Sequence, residues 1–220
     1  MHALDEALAA IGTPHRLEVY DGPHGWPASP GFVEAIAWMD LQAMRAGSLP
    51  RDDAFLDARV ATCDVDAKAS EDPLDRWRVF DHCVRDLDEL RDVDAFREAA
   101  AALDRAPDVR RLRALEARLL DEETRHRKRF EDWRVRFNTR YVEGRDQPPP
   151  STATTLRELR VASLRKRARD PDPRVAASAR RQLAWVHAGA ASYLPHAFAE
   201  RGDTARVEAL KALADATRPP

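Results

Sequence analysis

One histidine in this sequence lies in a segment that can hold it rigidly. The segment is Gly22-Pro23-His24-Gly25-Trp26-Pro27, in which the prolines restrict the backbone and the glycines allow tight turns. An imidazole presented on such a loop can accept a proton from a serine hydroxyl as a general base, and Trp26 would form a wall of that site. A turn histidine without any catalytic task is the other interpretation, and both stay open.

The remaining candidate groups favour no metal or nucleotide chemistry. His82 adjoins Cys83, but Cys63 lies 20 residues away, whereas a zinc site needs three or four closely spaced ligands. The sequence contains neither G-x-x-x-x-G-K nor G-x-G-x-x-G. We therefore expect no metal and no cofactor, and we interpret Cys63 and Cys83 as small buried thiols in a reducing compartment.

Short elements surround the histidine loop. Apolar residues recur at helical spacing over 3–11 and again from Phe32 to Gly47, and they alternate over 16–20, which predicts a strand between two helices. A single strand leaves its backbone N–H and C=O groups unpaired. Either the strand prediction is wrong, or its partner strands lie outside this sequence.

Almost everything after Pro50 predicts helices. The longest, 107–142, carries an apolar stripe typical of packing against another helix, and 144–151 contains three consecutive prolines that predict a stiff linker. The predicted helices cover about 52–70, 73–91, 93–105, 107–142, 153–169, 173–188, 190–201 and 204–217. The expected fold class is mainly α, with a short N-terminal helix-strand-loop-helix followed by a multi-helix array.

The order of helix, strand, histidine loop and helix resembles the final module of an α/β-hydrolase, in the dienelactone-hydrolase and phospholipase/carboxylesterase branch. Leu17 to His24 and Phe32 to Met39 carry the resemblance, which covers about 3–46. It implies that His24 is the histidine of a catalytic triad and that the second helix packs against a sheet. It also implies that five residues shape the loop, namely Gly22, Pro23, Gly25, Trp26 and Pro27.

The other catalytic groups of that family are missing from this sequence. Its nucleophile lies in a G-x-S-x-G turn upstream of the histidine. None of the seven serines here has one glycine two residues before it and another two residues after it. We therefore expect the C-terminal part of a longer esterase-type protein that is inactive by itself. The alternative is a helical protein–protein interaction scaffold without catalysis.

The end of the sequence loosely resembles a tetratricopeptide repeat. Phe198, Gly202-Asp203, Ala214 and Pro219 fall at the spacing of the aromatic, turn, small and terminal-proline positions of that motif, although Val207 replaces a small residue. The resemblance implies a helical hairpin that stacks on the preceding helices and offers a groove to a peptide or protein. A helical core without a ligand is the open alternative.

Charge is distributed unevenly along the chain. Residues 1–106 carry 22 acidic and 11 basic residues, whereas 107–170 carry 18 basic and 11 acidic residues. Acidic residues interleave with the basic ones in 107–170, which disfavours nucleic acid as a partner and favours a helix surface with many ion pairs. No apolar run reaches the ~18 residues of a membrane span, and no secretory signal is evident, so we expect a cytoplasmic protein.

We expect four segments: an incomplete hydrolase module over 1–48, a helical region over 49–143, a linker over 144–152, and a weakly tetratricopeptide-like region over 153–220.

Without a sheet, one apolar face of the first segment would lack cover. Its residues are Leu17, Val19, Ile36, Trp38 and Leu41. An exposed apolar patch promotes association. We therefore expect the chain to self-associate, or to bind a protein partner, through this face or the long helix, and Val19→Lys to raise its solubility.

Overall fold

A computed structural model describes residues 2–17, 29–142 and 148–218, and this part of the chain is mainly α-helical, as predicted. Its helices are α1 (His2–Ala10), α2 (Ser29–Arg45), α3 (Asp53–Ala69), α4 (Pro73–Leu87), α5 (Asp94–Arg105), α6 (Pro107–Val142), α7 (Thr152–Glu158), α8 (Val161–Arg167), α9 (Pro173–Ala191), α10 (Tyr193–Ala199) and α11 (Thr204–Thr217). Within the described residues, no helix is long and apolar enough to cross a membrane.

Only part of the predicted strand over 16–20 lies within the described residues. Arg16 and Leu17 belong to an irregular stretch, 13–17, and the remaining strand residues lie outside the described ranges. The described ranges contain no β-strand.

Two predicted helices differ most from the observed ones. The predicted helix 153–169 is divided into α7 and α8, because Arg160 adopts the left-handed conformation with φ of 54°. The predicted helix 73–91 ends at Leu87, and Glu89 after it has φ of 67°. A single residue in this region of φ interrupts the helical hydrogen-bond ladder, and apolar periodicity does not reveal it.

Local capping explains several helix starts. The Asp72 side chain accepts hydrogen bonds from the N–H groups of Leu74 and Asp75, and Pro73 occupies the first helical turn of α4. Asp172 and Pro173 repeat the arrangement at α9. Each cap satisfies backbone N–H groups that have no partner within the helix. The predicted helix starts at 73 and 173 are confirmed.

The chain divides into two compact units, 1–114 and 115–220. In the first unit, α2, α3, α4 and α5 pack around one core. Its buried members are Leu41, Leu56, Cys63, Cys83, Leu87, Leu90, Val93 and Phe96. This division does not test the four segments predicted from the sequence, which stay a prediction.

In the second unit, α6 and α9 run parallel and in register. Glu116 binds Arg174, Glu123 binds Arg181, and the guanidinium of Arg127 lies over the Trp185 ring, so all three contacts join residues 58 apart in sequence. A constant sequence offset along two helices arises only when they run in the same direction. Beneath these contacts lies a core of α6, α7, α8, α9, α10 and α11 residues that includes Phe130, Trp133, Leu183, Val186 and Leu210.

A helical hairpin closes the second unit. α10 and α11 pack together, and Gly202 makes the turn between them with φ of 73°. Phe198 and Ala214 are buried, as the resemblance to a tetratricopeptide repeat implies for its aromatic and small positions. Pro219 lies outside the described residues, and the relationship to that repeat stays a prediction.

Candidate functional site

The predicted catalytic loop lies outside the described residues, which holds for His24 and for Gly22, Pro23, Gly25, Trp26 and Pro27. The triad role of His24 therefore stays a prediction. Arg16 and Glu34, which are described on either side of this stretch, both line a polar cleft in the unit 1–114. This cleft is the candidate site.

The cleft lies beside α2, α3 and α4 and has a volume of about 90 Å³, which is room for several water molecules. Its apolar side is formed by Leu41, Val79 and Leu87 together with Cys63 and Cys83. Its polar side combines arginines with carboxylates and a histidine: Arg16, Glu34, Arg59, Asp66, His82 and Asp86.

One ion pair of the cleft joins α2 to α3. Arg59 donates from Nη1 to Glu34 Oε1 at 2.9 Å and from Nη2 to Glu34 Oε2 at 2.8 Å, which is a bidentate arrangement. The hydrogen bonds from Arg59 lower the pKa of the Glu34 carboxyl. At the other end of α2, Arg45 Nη2 donates to the carbonyl oxygens of Arg85 and Asp86, both at 3.0 Å. α2 is thus attached to its neighbours at two points.

A second ion pair joins the segment before the loop to α4. Arg16 Nη1 lies 3.2 Å from Asp86 Oδ2, and the Asp86 side chain is only 13% exposed. Burial raises the pKa of the Asp86 carboxyl, and the nearby charges of Arg16 and His82 act in the opposite direction. Asp86 is therefore a partly desolvated carboxyl group with Arg16 as its ion-pair partner.

Four charged residues of the cleft form two ion pairs, Arg59–Glu34 and Arg16–Asp86, which favours a positioning role for them over a catalytic one. The Thr62 hydroxyl donates to the Ala58 carbonyl oxygen at 2.9 Å, so its proton is engaged within its own helix rather than with a general base. No group of His, Cys, Asp or Glu among the described residues could hold a metal ion. The cleft ties Arg16 and Glu34, the described residues that bracket the predicted loop, to α3 and α4.

Cys63 and Cys83 form a disulfide, so the interpretation as two free thiols is wrong. α3 and α4 are consecutive packed helices, and their pairing brings the two Cα atoms to 6.2 Å despite a sequence separation of 20. That distance lies within the range a disulfide requires. The disulfide also removes the support that two free thiols would give to a reducing compartment.

α2 has an exposed apolar face in addition to the apolar side that it buries in the core. Val33, Ile36 and Met39 are 63%, 58% and 62% exposed, whereas Ala37 and Leu41 on the other side of the helix are buried. The prediction that Leu41 belongs to the uncovered face is therefore wrong, because Leu41 packs in the core of the first unit. Ile36 is exposed as predicted, and Val19 lies outside the described residues.

The cleft could not be found from sequence spacing. Arg16, Glu34, Arg59 and Asp86 lie on four separate segments of the chain, and no two of them form a recognisable motif. Charged residues of this kind are usually solvated, and only the helix packing places these four together. No family model, no curated protein and no solved structure matches this chain.

Proposed function

We propose that this chain is the C-terminal, helix-rich part of an α/β-hydrolase-like protein, that His24 is its triad histidine, and that the chain alone lacks esterase activity. The observation that carries the proposal is the exposed apolar face of α2, which consists of Val33, Ile36 and Met39. α2 is the helix that follows the histidine loop in sequence, where the hydrolase module requires a helix packed against a sheet. A sheet laid on this face would remove three large apolar side chains from water.

The attachments of α2 support the same proposal. The Glu34–Arg59 and Arg45–carbonyl contacts hold one side of α2 on the helical unit, which leaves the Val33 face turned outward. The Arg16–Asp86 ion pair holds the first residue of the predicted strand. The first unit is therefore suited to hold both ends of the segment that carries His24.

The lack of activity follows from the missing nucleophile. A general base accelerates acyl transfer by activating a hydroxyl or water that is held within hydrogen-bond reach. No serine of the sequence lies in a G-x-S-x-G turn. A triad member without its partners retains little of the catalytic effect of the triad.

The test compares this chain with the product of the reading frame extended upstream of Met1. We expect the chain alone to give no p-nitrophenyl ester hydrolysis and no labelling by a fluorophosphonate. The extended protein should encode a G-x-S-x-G turn, hydrolyse the ester, and lose that activity in His24→Ala. His196→Ala, which alters an exposed histidine of α10 in the second unit, is the matched control and should retain activity.

Any of three results contradicts the proposal. One is ester hydrolysis by the chain alone that disappears in His24→Ala. The others are an upstream frame without the nucleophile turn and an extended enzyme that is indifferent to His24→Ala.

The second candidate function is a helical interaction scaffold in which a second copy of the chain covers α2. It is favoured by the uncharged character of the Val33, Ile36 and Met39 face, since two identical faces of this kind can meet across a two-fold axis without like-charge repulsion. Light scattering after size exclusion should then show a dimer that Ile36→Lys dissociates. Val65→Lys, at an isolated exposed apolar residue of α3, should leave the dimer intact. A monomer at all accessible concentrations contradicts this candidate.

A further inference from the structure

The described acidic residues between 115 and 169 are all engaged in ion pairs. The pairs are Glu116–Arg174, Asp121–Arg125, Glu122–Arg167, Glu123–Arg181, Glu131–Arg134, Asp132–Lys128 and Glu158–Arg136. In the sequence these carboxylates interleave with basic residues and make the region look balanced. In the structure each of these carboxylates forms an ion pair with one basic side chain. These carboxylates therefore do not neutralise the other basic residues of the region.

One group of basic residues without an ion pair among the described residues lies on α8 and in the turn just after it. We call this group the α8 outer face and define it as Arg165, Lys166 and Arg169. All three side chains are exposed, and within the described chain none of them forms an ion pair. Arg169 lies in the turn that follows α8, where its N–H donates to the Lys166 carbonyl oxygen at 3.2 Å, so it lies about one turn from Arg165 and Lys166. Val161 and Leu164 point to the core on the other side of α8. Three like charges therefore lie close together. The carboxylates nearest in sequence, Asp170 and Asp172, accept hydrogen bonds from backbone N–H groups and form no ion pair with these three cations.

Further cations flank this face. Arg157 and Arg160 are exposed at the junction of α7 and α8, and they too form no ion pair among the described residues. His126 donates from Nε2 to the Leu159 carbonyl oxygen at 3.0 Å. Burial lowers the pKa of His126, and the charges of Arg129 and Arg160 lower it further. His126 is therefore neutral near pH 7, and the arginines supply the positive charge of this region.

The composition of this surface indicates the partner. Protein interfaces bury large apolar or aromatic side chains at their centre. None of the exposed large apolar residues of the described chain falls between 148 and 170. A phosphate backbone requires only cations and close approach. The small side chains of Ala162 and Ser163, both exposed on α8, permit that approach.

We infer that the α8 outer face binds the phosphate backbone of nucleic acid without reading its sequence. The inference is independent of the hydrolase proposal. The acidic residues that interleave with basic ones in the sequence do not neutralise α8, because those of α6 form ion pairs with other basic residues.

The test measures fluorescence anisotropy of two labelled 20-base-pair duplexes of different sequence with the full chain, at about 50 to 200 mM salt. We expect both duplexes to bind with similar affinity and the affinity to fall steeply with salt. Arg165→Gln/Lys166→Gln/Arg169→Gln should weaken binding at least tenfold at the lowest salt. It should also reduce the slope of log K against log salt by about 3, since each phosphate contact contributes about 0.9.

The matched control removes two arginines and one lysine elsewhere in the second unit. Arg125→Gln/Lys211→Gln/Arg218→Gln alters exposed cations that each pair with a local carboxylate, so it should bind within twofold of the parent. Circular dichroism checks that both triple variants stay folded.

Three results overturn the inference: no salt-dependent binding at about 100 µM protein, an equal loss of affinity in the control variant, or displacement of the duplex by polyglutamate at equal charge. The last result would identify an acidic protein as the partner.

Discussion

The disulfide between Cys63 and Cys83 gives the sharpest stability prediction. Both residues are nearly buried in the core of the first unit, where they join α3 to α4. The perturbation is the double variant Cys63→Ala/Cys83→Ala or, in the unchanged chain, full reduction with a phosphine. Both remove the same covalent link.

The expected loss follows from the sequence separation of 20 residues. Closing a loop of this length restricts the unfolded chain and contributes about 3 kcal/mol to the free energy of unfolding. For a unit of 114 residues, that free energy corresponds to a fall in Tm of roughly 10–15 °C. Packing of the two alanines in place of the cystine adds a smaller cost.

The assay is urea unfolding combined with hydrogen exchange read by mass spectrometry. Peptides from α3 and α4 should lose protection in the double variant and in the reduced chain to the same extent. Peptides from α9 and α11, which contain no cysteine, provide the internal control. A reductant added to the double variant should change nothing.

Two outcomes would refute this reasoning. One is alkylation of two free thiols in the chain purified without reductant and unfolded in the presence of the alkylating reagent. The other is a change below about 1 kcal/mol on reduction, since loop closure at this separation requires a larger effect.

Two further predictions concern the second unit. Burial lowers the pKa of His126 below the ordinary 6.5, so the imidazole binds a proton more readily in the unfolded chain than in the folded one. The folded state is therefore fully stable above about pH 6.5 and loses stability as the pH falls. His126→Gln should make the urea midpoints between about pH 7.5 and 5 depend less on pH. An unchanged pH profile in His126→Gln would contradict this. Gly189→Ala would place a Cβ 2.6 Å from Phe130 Cζ, whose ring is buried against Trp133, so we expect a net loss of about 1–2 kcal/mol by thermal denaturation despite the higher helix propensity of alanine, and a gain in stability would show that the ring moves freely.

Much of the fold could be predicted from local sequence signals. The long helix Pro107–Val142 has the predicted bounds, because its apolar stripe and Pro107 act over a few neighbouring residues. The Asp72-Pro73 start of α4 is predictable for the same reason. The break at Arg160 could not be predicted, since an arginine carries no preference for the left-handed conformation.

The candidate site could be predicted only in part. The sequence identifies residues of the site by their side-chain chemistry, as it does for Cys63, Cys83 and His82. Their relation was not visible, because the disulfide and the Arg16–Asp86 pair depend on how α3, α4 and the N-terminal segment pack.

The amino-acid order by itself determined the helical class, the main helix starts and the surplus of positive charge in the second half of the chain. The tertiary structure decided which cysteines join, which carboxylates neutralise which arginines, and which cations are left exposed on α8. The physical reason is range: periodicity and capping act within one or two helical turns, whereas disulfides, ion pairs and burial join residues that only packing brings together.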